Sequence, residues 1–386
     1  MLLKMHVKNK NKNILPLIGI LSLMVGIVLN LNLVKVDADS NNPTSADFVA
    51  QAYFENGASA GANQSGHPDS LWFDNVKPGS EVRATILITN KSKSERTFQV
   101  SAYTASTNVS GGLSYDTKKP KMDDSQKIKF DSLFKNNDVT VKVPGSETNQ
   151  GQVAVSLSAL IPNIDYKGTV LGGFRVYAFD PTEKQKRKQT ALVNKFAYVI
   201  PVVLNINSDN YDVSNPKEAF KLGTVVPQVR FMGKDAEPGV LVNIHNTKAA
   251  LISNFRTNVE ITPKGSSNSV ATIDSEGNQM APNSVWSYPI KWGSNSLKSG
   301  TYHLTMKVRY EGRNPAPNKT PVSKKYDFKM EKDFTITSAQ ANQLNRQMGI
   351  KPNYLWLWIT LGVLAILLLV LLVWYLARGS KKNNSV

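Results

Sequence analysis

The sequence predicts a mainly β protein with two tandem immunoglobulin-like β-sandwich domains, an N-terminal signal peptide and a C-terminal single transmembrane helix. Short segments rich in Val, Thr, Ile and aromatic residues recur between clusters of Gly, Pro, Asn and Ser, as in tandem β-sandwiches. Long apolar runs stand near both ends of the 386-residue chain. Between these runs, only residues 339–348 show a helical period.

The N-terminal element is predicted from charge followed by apolarity. Lysines precede an uncharged apolar run over Ile14–Val34, and the small residues of a cleavage site follow at Val36–Ala38. This order predicts a secretory signal peptide over residues 1–38. Because the apolar run is longer than a minimal signal core, a retained N-terminal anchor is the alternative.

The C-terminal element is an uncharged segment, Tyr354–Ala377, with aromatic residues at both ends. As a helix it is long enough to cross about 30 Å of hydrocarbon. Basic residues follow at once, so the positive-inside rule assigns residues 378–386 to the cytoplasm. We therefore expect a single-pass type I protein of the cell membrane, whose ectodomain lies outside the cell, within or across the wall.

Composition points to a bacterial surface. The chain has no cysteine, which excludes a small disulfide scaffold and is unusual for a eukaryotic ectodomain of this size. Its net charge of +17 suits anionic wall polymers or the membrane surface, although the spread of this charge is equally consistent with solubility alone. Nucleic acid is not among the predicted partners.

Between the two ends, the strand signals fall into two series. The first sandwich is predicted over residues 46–208 and the second over 216–337, separated by the polar stretch Asn207–Glu218. The two series echo each other. Pro78-Gly79 precedes an alternating strand that closes at Asn90, and Pro238-Gly239 precedes one that closes at Asn246; we expect a Pro-Gly turn in both.

Two connecting segments follow from composition. The segment between Phe179 and Leu192 joins two apolar strands and carries Lys186 and Arg187, candidate contacts to anionic glycan or phospholipid headgroups; a solvated hairpin loop is the alternative. Residues 338–353 begin with Ser338 as a plausible N-cap and predict a short stalk helix that reaches the membrane.

An aromatic row lies in the second series. Trp286, Tyr288, Ile290 and Trp292 share one face of a strand, and Pro289 predicts an edge position because a central strand would miss its N–H. Burying the aromatic face stabilises a two-layer fold, so we expect core, with Trp292 partly exposed at the strand end as a candidate partner contact. A sugar- or protein-binding platform is the alternative.

Catalytic and metal-binding patterns are missing from the sequence. Gly57–Gly61 reads G-A-S-A-G, but its flanks predict neither the strand nor the helix of a nucleophile elbow. The histidines are isolated, and no acidic loop has calcium-ligand spacing. Asp165 has no evident carboxylate mate for glycoside hydrolysis. We therefore predict a non-enzyme with no cofactor and no metal.

Five segments then occur in a recognisable order: Tyr103–Asp116, Leu160–Phe174, Lys195–Asn205, Met280–Ser284 and Leu297–Leu304. This order resembles the WxL-interacting proteins of Gram-positive bacteria. The resemblance implies that the first domain binds peptidoglycan, that the second binds host surface or extracellular-matrix components, and that WxL-domain proteins are partners. It also places the domain boundary near residue 180, so the boundary stays open between Phe179 and Glu218.

These inferences predict a non-catalytic adhesion and scaffold protein that binds peptidoglycan and WxL-domain proteins. A cell-wall glycan-processing enzyme and a secretion chaperone that receives partner strands at a sheet edge are the alternatives. Within the polar connection Thr104–Asp116 and its flank, Tyr103, Asn108 and Tyr115 are the candidate glycan contacts. An Asn/Gly turn required only by the fold is the competing interpretation of this connection.

Overall fold

The computed structural model describes residues 48–54, 70–146, 151–178, 196–208, 212–230, 237–293, 296–312, 324–350 and 355–380. The predicted signal peptide, the Gly57–Gly61 string, the loop with Lys186 and Arg187 and residues 381–386 lie outside this set. The described chain is mainly β, as the sequence predicts.

The N-terminal region, residues 48–208, contains a three-stranded sheet in the order β1-β3-β8 and a five-stranded sheet in the order β2-β10-β9-β4-β7. Its strands are β1 (Phe48–Phe54), β2 (Leu71–Val76), β3 (Glu81–Asn90), β4 (Arg96–Thr104), β5 (Ser106–Thr107), β6 (Leu113–Ser114), β7 (Asp138–Val143), β8 (Gln152–Leu160), β9 (Gly168–Ala178) and β10 (Ala197–Ile206). Strands β5 and β6 pair as a small hairpin. One apolar core, with Ile86, Phe98 and Phe174 at its centre, draws side chains from both larger sheets.

The C-terminal region, residues 212–347, repeats this plan with a three-stranded sheet β11-β12-β15 and a four-stranded sheet β14-β13-β16-β17. Its elements are α1 (Pro216–Ala219), β11 (Phe220–Arg230), β12 (Glu237–Asn246), β13 (Ile252–Pro263), β14 (Ala271–Met280), β15 (Val285–Lys291), β16 (Gly300–Gly312), β17 (Lys324–Ile336) and α2 (Ser338–Gln347). A second core, which includes Phe255 and Trp286, lies between its sheets.

The strand orders of the two regions match strand by strand. The order β1-β3-β8 corresponds to β11-β12-β15, and β10-β9-β4-β7 corresponds to β17-β16-β13-β14. Strand β2, which pairs in parallel with β10, is the addition in the N-terminal region. Along the described chain, one seven-strand topology therefore occurs twice in tandem.

Two buried asparagines mark the repeat at atomic detail. Asn90 ends β3, accepts a hydrogen bond from the Ser92 N–H (3.1 Å) and donates to Ser94 O (2.9 Å). Asn246 ends the equivalent β12 and makes the same contacts, from Lys248 N–H (3.1 Å) and to Ala250 O (2.8 Å). In both copies the side chain satisfies the backbone of the turn that follows the strand.

The expectation of two Pro-Gly turns is correct only for the first. Gly79 adopts a φ of 78° in the turn before β3. Gly239 lies inside β12 and pairs with Lys291, where a Cβ would come within 2.4 Å of Ile290 O. The second glycine is therefore required by close strand approach rather than by a turn.

The aromatic row is core. Trp286 and Ile290 are 0% exposed and Tyr288 4%, and β15 is an edge strand, as Pro289 predicts. The expected partial exposure of Trp292 is wrong: its side chain is 3% exposed. Tyr302 covers it edge to face, with ring centroids 5.1 Å apart.

Helix α2 differs from the expected stalk. Its N-cap is Thr337 rather than Ser338, and Thr337 forms a capping box with Gln340. Ala341 is buried in the C-terminal core, and the Asn345 side chain bonds both the N–H and the carbonyl of Leu297 at 2.9 Å. The helix is therefore docked on the C-terminal region as part of it.

Strand β10 is relevant to the domain boundary. It pairs with β9 along its whole length, and its inward side chains Ile200, Val202 and Leu204 lie in the N-terminal core. At the C-terminus, α3 (Leu355–Ser380) is a separate apolar helix. Its segment Leu357–Tyr375 is long and apolar enough to cross a membrane, by length and composition.

Asp212, beside β13, gives a prediction about pH. Its burial raises the carboxyl pKa to about 6, although Ser253 Oγ and Val213 N–H donate to it. The folded state therefore binds this proton more tightly than the unfolded state, and the stability contribution grows as pH falls from about 6 towards 4. We expect the unfolding free energy of the native chain, relative to Asp212→Asn, to rise by about 2 kcal/mol between neutral pH and pH ~4.

The measurement is urea unfolding of both chains across this pH range. Asp165→Asn, at an exposed position, is the control. A difference between native and Asp212→Asn that stays flat with pH would contradict the assignment.

Candidate binding site on the N-terminal region

The outer face of the five-stranded sheet carries polar and aromatic side chains. Because side chains alternate along a strand, the inward Phe98, Val100 and Phe174 leave the intervening residues facing outward. We call the following set the outer-face site: Gln99, Ser101 and Tyr103 on β4, Asp138 on β7, Arg175 and Tyr177 on β9, and Lys118 from the connection after β6. Strand pairing sets Arg175 opposite Ser101 and Tyr177 opposite Gln99.

An arginine and a tyrosine form the aromatic part of the site. The Arg175 guanidinium lies 5.4 Å from the centroid of the Tyr177 ring, within cation–π range. The Tyr177 hydroxyl donates to Gln99 Oε1 at 2.6 Å. Both side chains are partly exposed, so a planar cation and a ring face are presented together.

Asp138 and Lys118 form the charged part. Lys118 Nζ lies 2.8 Å from Asp138 Oδ2. Partial burial alone would raise the Asp138 pKa, but hydrogen bonds from Lys118, Ser101 and Gln99 outweigh it and hold the pKa below its usual range. The same contact with Asp138 raises the pKa of Lys118. Both groups are therefore charged at neutral pH.

A small cleft opens at the edge of β4, just beyond the start of β7. Strand pairing ends at Ser101 with Asp138, and the Ala102 N–H donates to Asn137 O at 2.7 Å. The cleft has a volume of about 80 Å³. It is lined by Ala102, Tyr103, Thr104, Thr117, Lys118, Asp131, Asn137 and Asp138. The Thr104 hydroxyl donates to Asp131 within this lining, which combines one cation, two carboxylates and neutral hydrogen-bonding groups.

Two glycines in β9 shape the surroundings of the cleft. A Cβ on Gly172 would lie 2.0 Å from the Phe130 ring on the core side. A Cβ on Gly173 would lie 3.0 Å from Tyr115 Cδ1 on the outer side. The Gly-Gly pair therefore allows Phe130 to fill the core and Tyr115 to lie directly on the sheet.

The candidate contact residues predicted from the sequence lie in different parts of the structure. Tyr103 lines the cleft, although only 6% of it is exposed, and Tyr115 lies at the border of the outer-face site. Asn108 Oδ1 accepts from the Ser110 and Gly112 N–H groups, so this side chain holds the turn of its own loop. Trp292 lies in the other region's core. Whether any of them contacts a ligand stays a prediction.

Sequence reasoning missed Lys118, Asp138, Arg175 and Tyr177. The signal for the last two was present, because Arg175 and Tyr177 are the polar members of an otherwise apolar alternation in β9. Lys118 and Asp138 are far from β9 in sequence: β7 reaches the site by pairing with β4, which pairs with β9, and Lys118 reaches it through its ion pair with Asp138.

The opposite end of the same sheet face is apolar and covered. Trp72, Leu171 and Val203 cluster there with Leu251 and Ala281 of the C-terminal region. Leu113 and Tyr115 pack against this cluster from the β5–β6 connection. The outer-face site therefore lies on a part of the sheet face that this apolar cluster does not cover.

Comparison with protein families gives two matches along the chain. Residues 54–178 match the WxL Interacting Protein peptidoglycan binding domain, and residues 187–346 match the WxL Interacting Protein host binding domain. The chain belongs to the WxL-interacting protein family. Every member of the outer-face site lies within the residues matched to the family's peptidoglycan-binding domain. The host-binding match begins before β10, although β10 pairs in the N-terminal sheet.

Both family matches are to binding domains, which supports a non-catalytic surface protein. The apolar helix α3 is compatible with membrane anchoring of such a protein. Among the described residues, no group of three or more His, Asp or Glu side chains could hold a metal ion.

Solved structures with a similar chain trace include a Pseudomonas aeruginosa CupB2 chaperone, at 11% identity, 66% coverage of this chain, 95% of that chain and a TM-score of 0.26. A chaperone–tip adhesin complex of CFA/I fimbriae matches at 11% identity, 72% and 97% coverage and a TM-score of 0.29. The Escherichia coli chaperone DraB matches at 13% identity, 66% and 93% coverage and a TM-score of 0.23. A comparison with curated proteins gives no match.

Proposed function

We propose that this WxL-interacting protein is a non-catalytic cell-surface scaffold whose N-terminal region binds peptidoglycan through the outer-face site. The observation that carries the proposal is the coincidence of two facts. The open, charged and aromatic part of the sheet face lies entirely within the residues matched to the peptidoglycan-binding domain. The opposite end of that face is apolar and is covered by Leu251 and Ala281 of the C-terminal region.

The chemistry of the site suits a peptidoglycan fragment. Stem peptides present carboxylates and amines, and the glycan presents acetamido groups and sugar faces. Arg175 and Lys118 can bind carboxylates, Asp131 and Asp138 can accept from amines and amide N–H groups, and Tyr177 offers a ring face for stacking. The small cleft fits an acetamido or methyl group rather than a whole sugar.

We also propose the domain fold, the membrane topology and the further partners of the protein. Each region is an immunoglobulin-like β-sandwich, which the repeated two-sheet strand order supports. Residues 1–38 are a cleaved signal peptide, and α3 crosses the membrane with residues 378–386 in the cytoplasm. The C-terminal region binds host components, and WxL-domain proteins are partners of the ectodomain, as its family membership supports.

Sedimentation with purified, insoluble peptidoglycan tests the proposal. Arg175→Ala removes the guanidinium, and with it the cation–π contact to Tyr177, from the outer face, so we expect the apparent affinity to fall about tenfold or more. Arg309→Ala is the matched control. Arg309 lies on the equivalent strand β16 of the C-terminal region, exposed and paired with Asp327 at 2.9 Å.

The native chain and Arg309→Ala should sediment equally, while Arg175→Ala stays mainly in the supernatant. Equal sedimentation of all three chains, or a selective loss in Arg309→Ala, would refute binding through the outer-face site.

A further inference from the structure

The segment Ala105–Lys127 contributes to the outer-face site and also contacts the C-terminal region. Its middle part supplies Tyr115, Thr117 and Lys118 to the border and lining of the outer-face site. Its two flanks dock on the C-terminal region. Apart from the two-residue strands β5 and β6, no described part of it has regular strand or helix structure, so its shape depends on what it contacts.

The first flank is fixed through backbone groups at its tip. The Trp286 indole N–H donates to Val109 O at 3.2 Å, and the Gln279 N–H donates to Gly111 O at 2.7 Å. Gly111 has a φ of 78°, and a Cβ there would lie 2.5 Å from Asn278 Oδ1. The tip therefore fits the C-terminal region closely.

A closed hydrogen-bond cycle lies next to the tip. The buried Thr107 hydroxyl accepts from the Ala281 N–H at 3.0 Å and lies 2.7 Å from Ser284 Oγ. Ser284 Oγ donates to Ala281 O at 2.8 Å, so the Thr107 hydroxyl donates to Ser284. The Ala281 N–H and the Thr107 hydroxyl make these two bonds only while the two regions are docked.

The second flank extends the C-terminal sheet. Met122 bridges Ser284 in an antiparallel manner, and the Asp123 N–H donates to Asn283 O at 2.8 Å. Asp123 Oδ2 lies 2.6 Å from His245 Nδ1, and Lys121 Nζ lies 2.7 Å from Asn243 Oδ1. This flank is held at the edge of β15 by backbone and side-chain contacts together.

From these contacts we infer that the C-terminal region positions the peptidoglycan site of the N-terminal region. Thr107, Lys121 and Asp123 are positioning residues: they hold the segment whose middle part borders the outer-face site. An undocked segment would have to be ordered when ligand binds, whereas docking orders it beforehand and so strengthens binding. This inference rests on the proposed function.

The test uses the full chain and pairs of variants at one position. Thr107→Val keeps the shape of the side chain but leaves the buried Ala281 N–H without its acceptor, whereas Thr107→Ser keeps the hydroxyl. We expect Thr107→Val to lower the affinity for soluble, muramidase-released peptidoglycan by about threefold to tenfold, with faster amide exchange over residues 105–127. Thr107→Ser should restore both properties.

Lys121→Ala is a second variant. The Lys121 side chain is exposed, so its removal leaves no cavity in the core and removes the hydrogen bond to Asn243. Lys121→Ala should also lower the affinity for soluble peptidoglycan, and it provides a test even if Thr107→Val does not fold. Native affinity in Lys121→Ala, or in a folded Thr107→Val chain whose segment exchanges faster, would overturn the inference. If Arg175→Ala binds peptidoglycan like the native chain, the proposed site is wrong. If Arg175→Ala binds weakly while the Thr107 and Lys121 variants bind like the native chain, only the positioning role is wrong.

Discussion

Replacing Trp286 by alanine is expected to lower the unfolding free energy of the chain by about 4 kcal/mol. The indole is 0% exposed, is stacked on Tyr288 with centroids 4.2 Å apart and meets Phe255 edge to face at 6.0 Å. Its N–H also donates to Val109 O, so the substitution leaves a cavity and removes a contact between the two regions.

Urea unfolding of the purified full chain, followed by near-ultraviolet circular dichroism, measures this effect. Trp292→Ala should also destabilise the chain, because Trp292 is 3% exposed, but it lies away from the contacts between the regions and should leave peptidoglycan binding unchanged. If Trp286→Ala keeps native stability and yet abolishes partner binding, the aromatic row is a binding platform and the core assignment is wrong.

Substituting Gly172 by alanine is expected to lower the unfolding free energy by about 3 kcal/mol. The added Cβ would stand 2.0 Å from Cγ of Phe130. Phe130 is fully buried, and its ring centroid lies 5.1 Å from that of Phe134 and 5.6 Å from that of Phe174. These two rings block the displacement of the Phe130 ring. Either β9 or the Phe130 turn must shift.

Gly112→Ala is the matched control, since its nearest neighbour would be the Asn108 side-chain amide at 3.4 Å and its backbone is not left-handed. Thermal unfolding of both variants gives the comparison. Equal melting temperatures for Gly172→Ala and the native chain would show that β9 and Phe130 are packed less tightly than described.

The strands could be predicted because alternation is a local signal. β3 alternates exposed and buried side chains along almost its whole length, and Pro289 correctly placed β15 at a sheet edge. The tandem repeat was also visible, since Asn90 and Asn246 end equivalent strands.

The packing at strand ends could not be predicted in this way. Trp292 directly follows β15, and its position at the strand end suggested exposure although periodicity puts it on the buried face; Tyr302 from another strand covers it. Helix α2 was expected to be a stalk that reaches the membrane, yet the buried Ala341 and the Asn345 side chain dock it on the C-terminal region.

The docking of Ala105–Lys127 is the clearest case of a hidden contact. Its Asn, Ser and Gly residues indicate a solvent-exposed connection, which led to Asn108 as a candidate glycan contact. The segment instead meets residues more than a hundred positions away through backbone carbonyls and small hydroxyl groups, such as Thr107 with Ser284. Such contacts carry no periodicity, so the sequence pattern does not indicate them.

The central claim is that peptidoglycan binds on the open part of the five-stranded sheet. Nuclear magnetic resonance titration of the full chain with soluble muropeptides tests it most directly, because it locates the bound fragment. We expect the largest shifts at the backbone amides of Lys118, Asp138, Arg175 and Tyr177, with smaller shifts along Ala105–Lys127. Shifts concentrated on β13, β16 and β17 of the C-terminal region would contradict the account.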